Sequence, residues 1–155
     1  MLIGLISDTH GLLRADVHTA LAGVELILHA GDVGGSGILD ELSLIAPVRA
    51  VLGNTDAPEL PGAAGALELT LGGLGVHVSH GHELGRPTPA KLAEAYDANV
   101  IVYGHTHRQD VTRIGDRLIV NPGAAGPRRF DLLPSVARLT IERGEATVEI
   151  VALEP

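Results

Sequence analysis

Five short apolar runs each lead directly into a turn that carries an Asp, an Asn or a His, and this recurrence most narrows the folds open to the chain. Leu2 to Ser7 is followed by Asp8 and His10, Leu26 to His29 by Asp32, and Val48 to Leu52 by Asn54. Val76 to Ser79 leads to His80, and Val100 to Tyr103 leads to His105 and His107. Runs this short, bounded by Gly and polar residues, read as buried strands. Strand ends are rigid and the turns beyond them expose side chains, so these polar groups are expected along one edge of a sheet system. Gly31, Gly53, Gly81 and Gly104 stand inside those turns and permit tight bends in a crowded rim.

The segments between the runs set the topology. Arg14 to Ala22 and Gly37 to Ile45 read as helices, and with strands at Leu2 to Ser7, Leu26 to His29 and Pro47 to Leu52 they make a strand–helix alternation. Such alternation calls for parallel strands joined by crossovers. After a loop rich in Pro and Gly from Ala57 to Gly65 the pattern changes. Leu67 to Leu71 and Gly75 to Ser79 form a hairpin about Gly72-Gly73. Thr88 to Tyr96 is a helix with Pro89 in its first turn, and Asn99 to Tyr103 is another buried strand. Two more hairpins follow, Val111 to Ile114 with Arg117 to Val120 and Ser135 to Glu142 with Glu145 to Val151. Parallel and antiparallel halves together call for two mixed sheets face to face with helices outside, an α/β sandwich formed by one domain over residues 1–155.

Composition limits the partners. A formal charge of -8 and three aromatic residues, Tyr96, Tyr103 and Phe130, exclude stable nucleic-acid binding by charge or base stacking, although a nucleotide fragment stays open as a substrate. The opening run Met1 to Ile6 is too short to span a membrane and has no basic flank, so no membrane association and a cytoplasmic location are expected. Exposed sheet edges are compatible with a dimer or tetramer. Cysteine is absent, so any metal must take nitrogen and oxygen donors. Asp8, His10, Asp32, Asn54, His80, His105 and His107 are such donors, suited to manganese, iron, nickel, cobalt or zinc. Two divalent cations about 3.5–4 Å apart lower the pKa of a bridging water and clamp the oxygens during in-line displacement at phosphorus. Asp8, Asp32 and a bridging hydroxide leave such a pair with surplus positive charge, which the neutral Asn54 preserves and which attracts phosphate.

Taken in order, DTH, GD, GNTD, HGH, GHTH and NPGAAGPRR resemble the calcineurin-like metallophosphoesterase superfamily, most closely its small single-domain bacterial and archaeal phosphodiesterases. The resemblance implies a four-layer α/β/β/α sandwich and a dinuclear site, most often loaded with manganese. By position, Asp8, His10 and His107 would hold one metal, Asn54, His80 and His105 the other, and Asp32 would bridge them. The implied activity is hydrolysis of a small phosphate ester, with Asn54, His80 and His82 as catalytic residues. A phosphodiesterase is expected; a phosphomonoesterase and a non-catalytic interaction scaffold of the same fold are the alternatives.

The chain departs from the family pattern where many members carry His directly after the metal-binding Asn; here Thr55 stands there. An aliphatic hydroxyl holds its proton too tightly to act as a general acid near neutral pH. Diesters with good leaving groups are therefore the expected substrates, with His82 or a metal-bound water aiding departure. Asp56 is expected to orient a ligand histidine. Family NPGS is Asn121-Pro122-Gly123-Ala124 here, one hydroxyl fewer. Arg128 and Arg129 read equally as phosphate grips or solvated loop charges, and Arg108, next to a ligand, has the same two readings with a stronger positional case for phosphate. His18 and His77 read as structural, His29 as a hydrogen-bonding prop near Asp32, and Gly34-Gly35 carries no assigned function.

Overall fold

A computed structural model describes residues 1–129 and 131–155. Strands β1 (Leu2–Ile6), β2 (Leu26–His29) and β3 (Val48–Val51) are parallel neighbours, as the alternation requires. A two-residue strand β4 (Ala63–Ala64) adds to β3, and the C-terminal hairpin of β10 (Ser135–Glu142) and β11 (Glu145–Ala152) closes the other side, giving the order β11-β10-β1-β2-β3-β4. The second sheet runs β5 (Leu67–Leu71), β6 (Leu74–Val78), β7 (Val100–Val102), β9 (Arg117–Asn121) and β8 (Asp110–Ile114). Both sheets are mixed: β10 is antiparallel to β1, and β5 and β8 are antiparallel edges on a parallel centre.

Period-two alternation sorts the side chains into three apolar layers. Ile3, Leu5, Leu28, Val78, Val102 and Val120 fill the space between the sheets. Ile6 and Ile27, on the opposite face of their strands, meet Val17 and Leu21 of the first helical segment and Ile38 and Leu42 of the second. Ile101, Tyr103 and Ile119 bury Leu92 from the third helix. Each fully buried aliphatic side chain contributes about 1.5–3 kcal/mol relative to exposure, so the aliphatic core compensates for the scarcity of aromatic residues. The architecture is the expected α/β/β/α sandwich, with thin helical layers.

The helices depart from expectation in length. α1 covers only Val17–Ala20: its N-cap Asp16 makes no side-chain capping bond, and Arg14 instead sends its guanidinium to Gly126 O and Glu154 O. α2 covers Ser36–Leu42, followed by turns through Ile45. α3, Pro89–Ala95, starts as expected, with Thr88 Oγ1 accepting the Lys91 amide at 3.2 Å. β4 lies inside the stretch expected to be loop, because two alanines among Pro and Gly give no strand pattern. Among the described residues no helix is long and apolar enough to cross a membrane.

The register positions the rim. Ile6 pairs with His29 and His29 with Ala50, while Val78 pairs with Val102 and Val102 with Val120. The loops after β1, β2, β3, β6 and β7 therefore leave their sheets at matched levels on one end of the sandwich.

Candidate metal centre

The backbone itself marks this rim. Among the described residues six non-glycine positions have positive φ, and five are expected ligands: Asp8 (55°), His10 (47°), Asp32 (54°), His105 (74°) and His107 (63°). An L-residue held there costs about 1–3 kcal/mol and persists only where its surroundings over-determine it. The surroundings are amide bonds between loops: Asp8 N to Gly31 O at 3.0 Å, His10 N to Asp32 O at 2.9 Å and Gly104 N to His80 O at 3.0 Å. The His105 amide donates to Asp8 Oδ2 at 3.2 Å, tying the rim of one sheet to that of the other.

Two close approaches explain glycines in these loops. A Cβ on Gly53 would stand 2.1 Å from Asp32 Oδ1, and one on Gly34, already at φ +88°, would stand 2.0 Å from Gly11 N. Gly34, given no function from sequence, is thus where the loop after β2 lies against the backbone behind His10.

The donor atoms converge in two groups. On one side His10 Nε2 and His107 Nε2 face each other at 3.4 Å, with Asp8 Oδ1 at 3.8 and 3.3 Å from them. On the other, His105 Nδ1 lies 3.1 Å from Asn54 Oδ1 and 3.3 Å from His80 Nε2. Asp32 Oδ2 stands between them, 3.7 Å from His10 Nε2 and 3.2 Å from His80 Nε2. Asp8, His10 and His107 form one group able to hold a metal ion; Asp8, Asp32 and His80 form a second. Asp8 thus reaches both groups, its Oδ1 lying 3.9 Å from His80 Nε2.

Three of the donors are aimed by a second bond. His80 Nδ1 donates to Ala30 O at 2.8 Å, which fixes the tautomer and turns the Nε2 lone pair inward. Asp8 Oδ2 accepts Ser7 Oγ at 2.7 Å, leaving Oδ1 buried without a hydrogen-bond partner. Asp32 Oδ1 accepts both the amide and the hydroxyl of Thr55, at 2.9 and 2.7 Å. A buried carboxylate oxygen without a donor, amid imidazole nitrogens, is the environment a divalent cation relieves, and the all N/O set fits such an ion.

Charge follows the same geometry. Burial pushes Asp8 upward, but His107, His80 and the Ser7 hydroxyl outweigh it and hold the carboxyl below its ordinary range. Burial likewise opposes ionisation of Asp32, and His80 and Thr55 overcome it. Burial drives His10 and His105 down, whereas in His80 the effect of burial is exceeded by Asp32 and Asp8, which raise it.

The remaining candidates divide. His82 is exposed in a 3-10 turn, His82–Leu84, with its ring 5.3 Å from that of His80 and 6.3 Å from that of His105. Asp56 does not orient a histidine: its carboxylate accepts the Val33, Gly34 and Gly53 amides at 3.1, 3.1 and 2.9 Å. Two residues beyond Asn54 the turn directs it back onto the backbone of the loops. His29 is buried, its Nδ1 accepting the Gly31 amide at 3.1 Å and its Nε2 2.9 Å from Thr9 Oγ1. It props the Asp8 and Asp32 loops without touching Asp32. Arg108, Arg128 and Arg129 are exposed, although the charge of Arg129 is felt at His10. His18 pairs with Glu41 at 3.1 Å on the surface, and His77 pairs with Glu68 and stacks on Tyr96 at 3.7 Å. Sequence reasoning gave no bracing role to Ser7, Thr9, Thr106 and Asn121. Asn121 Nδ2 donates to Gly104 O and Thr106 Oγ1, both at 3.1 Å, bracing the turn before His105. Small hydroxyls and amides beside each ligand were the available signal.

The calcineurin-like phosphoesterase superfamily domain matches residues 1–144. The chain belongs to this superfamily. A probable metallophosphoesterase of Methanothermobacter thermautotrophicus is 36% identical, over 97% of this chain and 92% of its own length. Phosphodiesterase MJ0936 of Methanocaldococcus jannaschii is 28% identical, over 79% of this chain and 83% of its own. The crystal structure of Vps29 of Entamoeba histolytica in complex with Zn²⁺ superposes with a TM-score of 0.78 at 24% identity, covering 98% of this chain and 99% of that one, a likeness of fold. As a member of this superfamily, the chain is a probable metallophosphoesterase, a hydrolase of phosphoric esters, with buried Asp and His groups that could hold metal ions.

Proposed function

We propose that this protein is a cytoplasmic metal-dependent phosphodiesterase, acting as one unit over residues 1–155. The observation that carries the reading is the convergence of donors from five loops on two facing groups, with Asp32 Oδ2 between them. In this reading Asp8, His10 and His107 would hold one divalent cation and Asn54, His80 and His105 the other, with Asp32 as the ligand that would be shared; manganese is the first candidate, with nickel, iron, cobalt or zinc as substitutes. When bound, two such ions supply Lewis acidity and an ionised water at neutral pH.

The chain's own residues favour diesters. Thr55 occupies the family's histidine position and donates its hydroxyl hydrogen bond to Asp32, so it orients a carboxylate and donates nothing to a leaving group. His82, exposed beside His80 and His105, is the nearby imidazole left to assist departure. Its assistance matters least when the leaving group is already acidic.

Purified protein stripped of metal and reloaded with each cation, then assayed on bis-p-nitrophenyl phosphate and p-nitrophenyl phosphate, tests the reading. Metal-dependent turnover of the diester above the monoester is expected. Equal turnover without metal, or a preference for the monoester, overturns it.

A further inference from the structure

The outer edge of β11 is an open row of backbone groups whose limits follow from its neighbours. Met1 N donates to Ile141 O at 2.7 Å and Ile141 N to Met1 O at 2.9 Å, so Ile141 of β10 turns both its groups away from β11. Its partner across the hairpin is Ala146, and in an antiparallel ladder such a pair alternates with pairs that exchange both bonds. Glu145, Thr147, Glu149 and Val151 therefore bond to β10, while Ala146, Val148, Ile150 and Ala152 turn their amides and carbonyls outward. Leu153 N, donating to Pro134 O at 2.9 Å, continues the same alternation.

Side chains close both ends of this row. Arg113 of β8 donates to Ala146 O; at the other end Asp16 Oδ2 accepts Glu154 N at 2.7 Å and Arg14 donates to Glu154 O at 2.9 Å. Between these caps the amides and carbonyls of Val148, Ile150 and Ala152 face no neighbouring strand among the described residues. Sheets blunt an open edge with Lys, Pro, a bulge or a short strand. β11 has none of these: it reads EATVEIVA, its pairing with β10 is unbroken, and it is eight residues long against five for β5 and β8 and two for β4. Val148 and Ile150 are half-buried at the rim of the layer between the sheets, so a strand added there also covers apolar surface.

We propose that this edge is a dimer interface in which β11 pairs antiparallel with β11 of a second copy of the chain, centred on Ile150. The register selects the occupant. Turned about Ile150, Val148 meets Ala152 and Ile150 meets its own counterpart, so every open donor finds an acceptor. Glu149, which already stands beside Arg138 of β10, then falls opposite Val151. Centring on Glu149 would set two like charges against each other. Centring on Val148 or Val151 would require Ala146 or Glu154, whose groups the side chains hold. The open row thus fits its own copy in one register, the self-complementarity that a two-fold axis demands. The proposal is independent of the diesterase reading.

Sedimentation equilibrium over about a hundredfold range of concentration, with hydrogen exchange of the backbone amides, tests it. A monomer–dimer equilibrium is expected, and the Val148, Ile150 and Ala152 amides should exchange about tenfold more slowly once protein exceeds the dissociation constant about tenfold. Ile150→Pro removes an outward N–H and no bond to β10, so it is expected to abolish the dimer while the far-UV spectrum is kept.

A cross-link reads the register directly. The chain has no cysteine, so Ile150→Cys supplies one thiol per copy, with α-carbons about 5.5 Å apart across the axis and within disulfide reach. Oxidation is expected to join Ile150→Cys subunits and to leave Thr70→Cys, on the exposed β5 edge, unjoined. A monomer at every concentration overturns the proposal, as does a dimer that survives Ile150→Pro or one joined through Thr70→Cys instead. Should Ile150→Pro fail to fold, the cross-link and the three amides decide the matter alone.

Discussion

Replacing Thr55 by Val isolates one bond in the proposed centre. The side chains are close in volume, and the backbone amide bond to Asp32 Oδ1 at 2.9 Å survives while the hydroxyl bond at 2.7 Å is deleted. A hydrogen bond to a charged acceptor contributes about 1.5–3 kcal/mol. Partners behind a metal ligand typically account for about 10–100-fold in affinity. At about 1.4 kcal/mol per decade the two ranges overlap. Asp32 is only 3% exposed, but Thr55 lies at the surface, where water takes part of the hydroxyl's place. The expected loss is therefore the lower end, about tenfold in Mn²⁺ affinity by titration calorimetry. Thr55→Ser keeps the donor and is expected to retain most of the affinity. With metal at saturation, kcat of Thr55→Val should stay within about threefold, because an orienting group acts through occupancy. Unchanged Mn²⁺ affinity in Thr55→Val, or a collapse of kcat at full occupancy, would refute this reasoning; the second result would make Thr55 a participant in proton transfer.

Other perturbations follow from the same geometry. His29 is held down to about 4 by burial, against an ordinary value of 6.5. The unfolded chain therefore takes up its proton first, so this contribution is complete above pH 6.5 and is lost as the pH falls toward 4. The span corresponds to about 3 kcal/mol, and urea unfolding of metal-free protein should show a shallower acid loss in His29→Gln; parallel pH profiles would contradict this. Gly53→Ala drives a methyl group into Asp32 Oδ1 and should lower the unfolding free energy by about 1–3 kcal/mol, together with metal affinity. Unaltered denaturation and calorimetry would show that the loops separate easily. Leu92→Ala empties the contact of α3 with Ile101 and Ile119 and should destabilise by about 2–5 kcal/mol while metal binding persists, since that layer lies behind the second sheet. A melt unchanged from the parent would mean that α3 is not anchored there.

Much of the architecture is encoded over short stretches of chain. Alternation in β1, where Ile3 and Leu5 face one way and Ile6 the other, is a property of neighbouring residues, so strands and their buried faces can be read directly. Turn residues such as Gly72-Gly73 and Gly115-Asp116 identify hairpins for the same reason. The donors were legible too, because each directly follows such a strand. Less legible were elements whose existence depends on a distant partner. Ala63 and Ala64 become a strand only by pairing with Ala50 and Val51, and Arg14 leaves helical position to reach Gly126 and Glu154.

Composition and order within the chain determined the type of fold and the supply of nitrogen and oxygen donors. Only the folded structure decided their orientation: the left-handed backbone at Asp8, His10, Asp32, His105 and His107, the direction of Asp56 onto three amides, and the commitment of the Thr55 hydroxyl to Asp32. Those features arise where loops far apart in sequence are pressed together, as when the His105 amide meets Asp8 across 97 positions. Local patterns carry no record of such meetings, because the balance of strain, hydrogen bonding and charge that fixes them exists only once the two sheets have closed on each other.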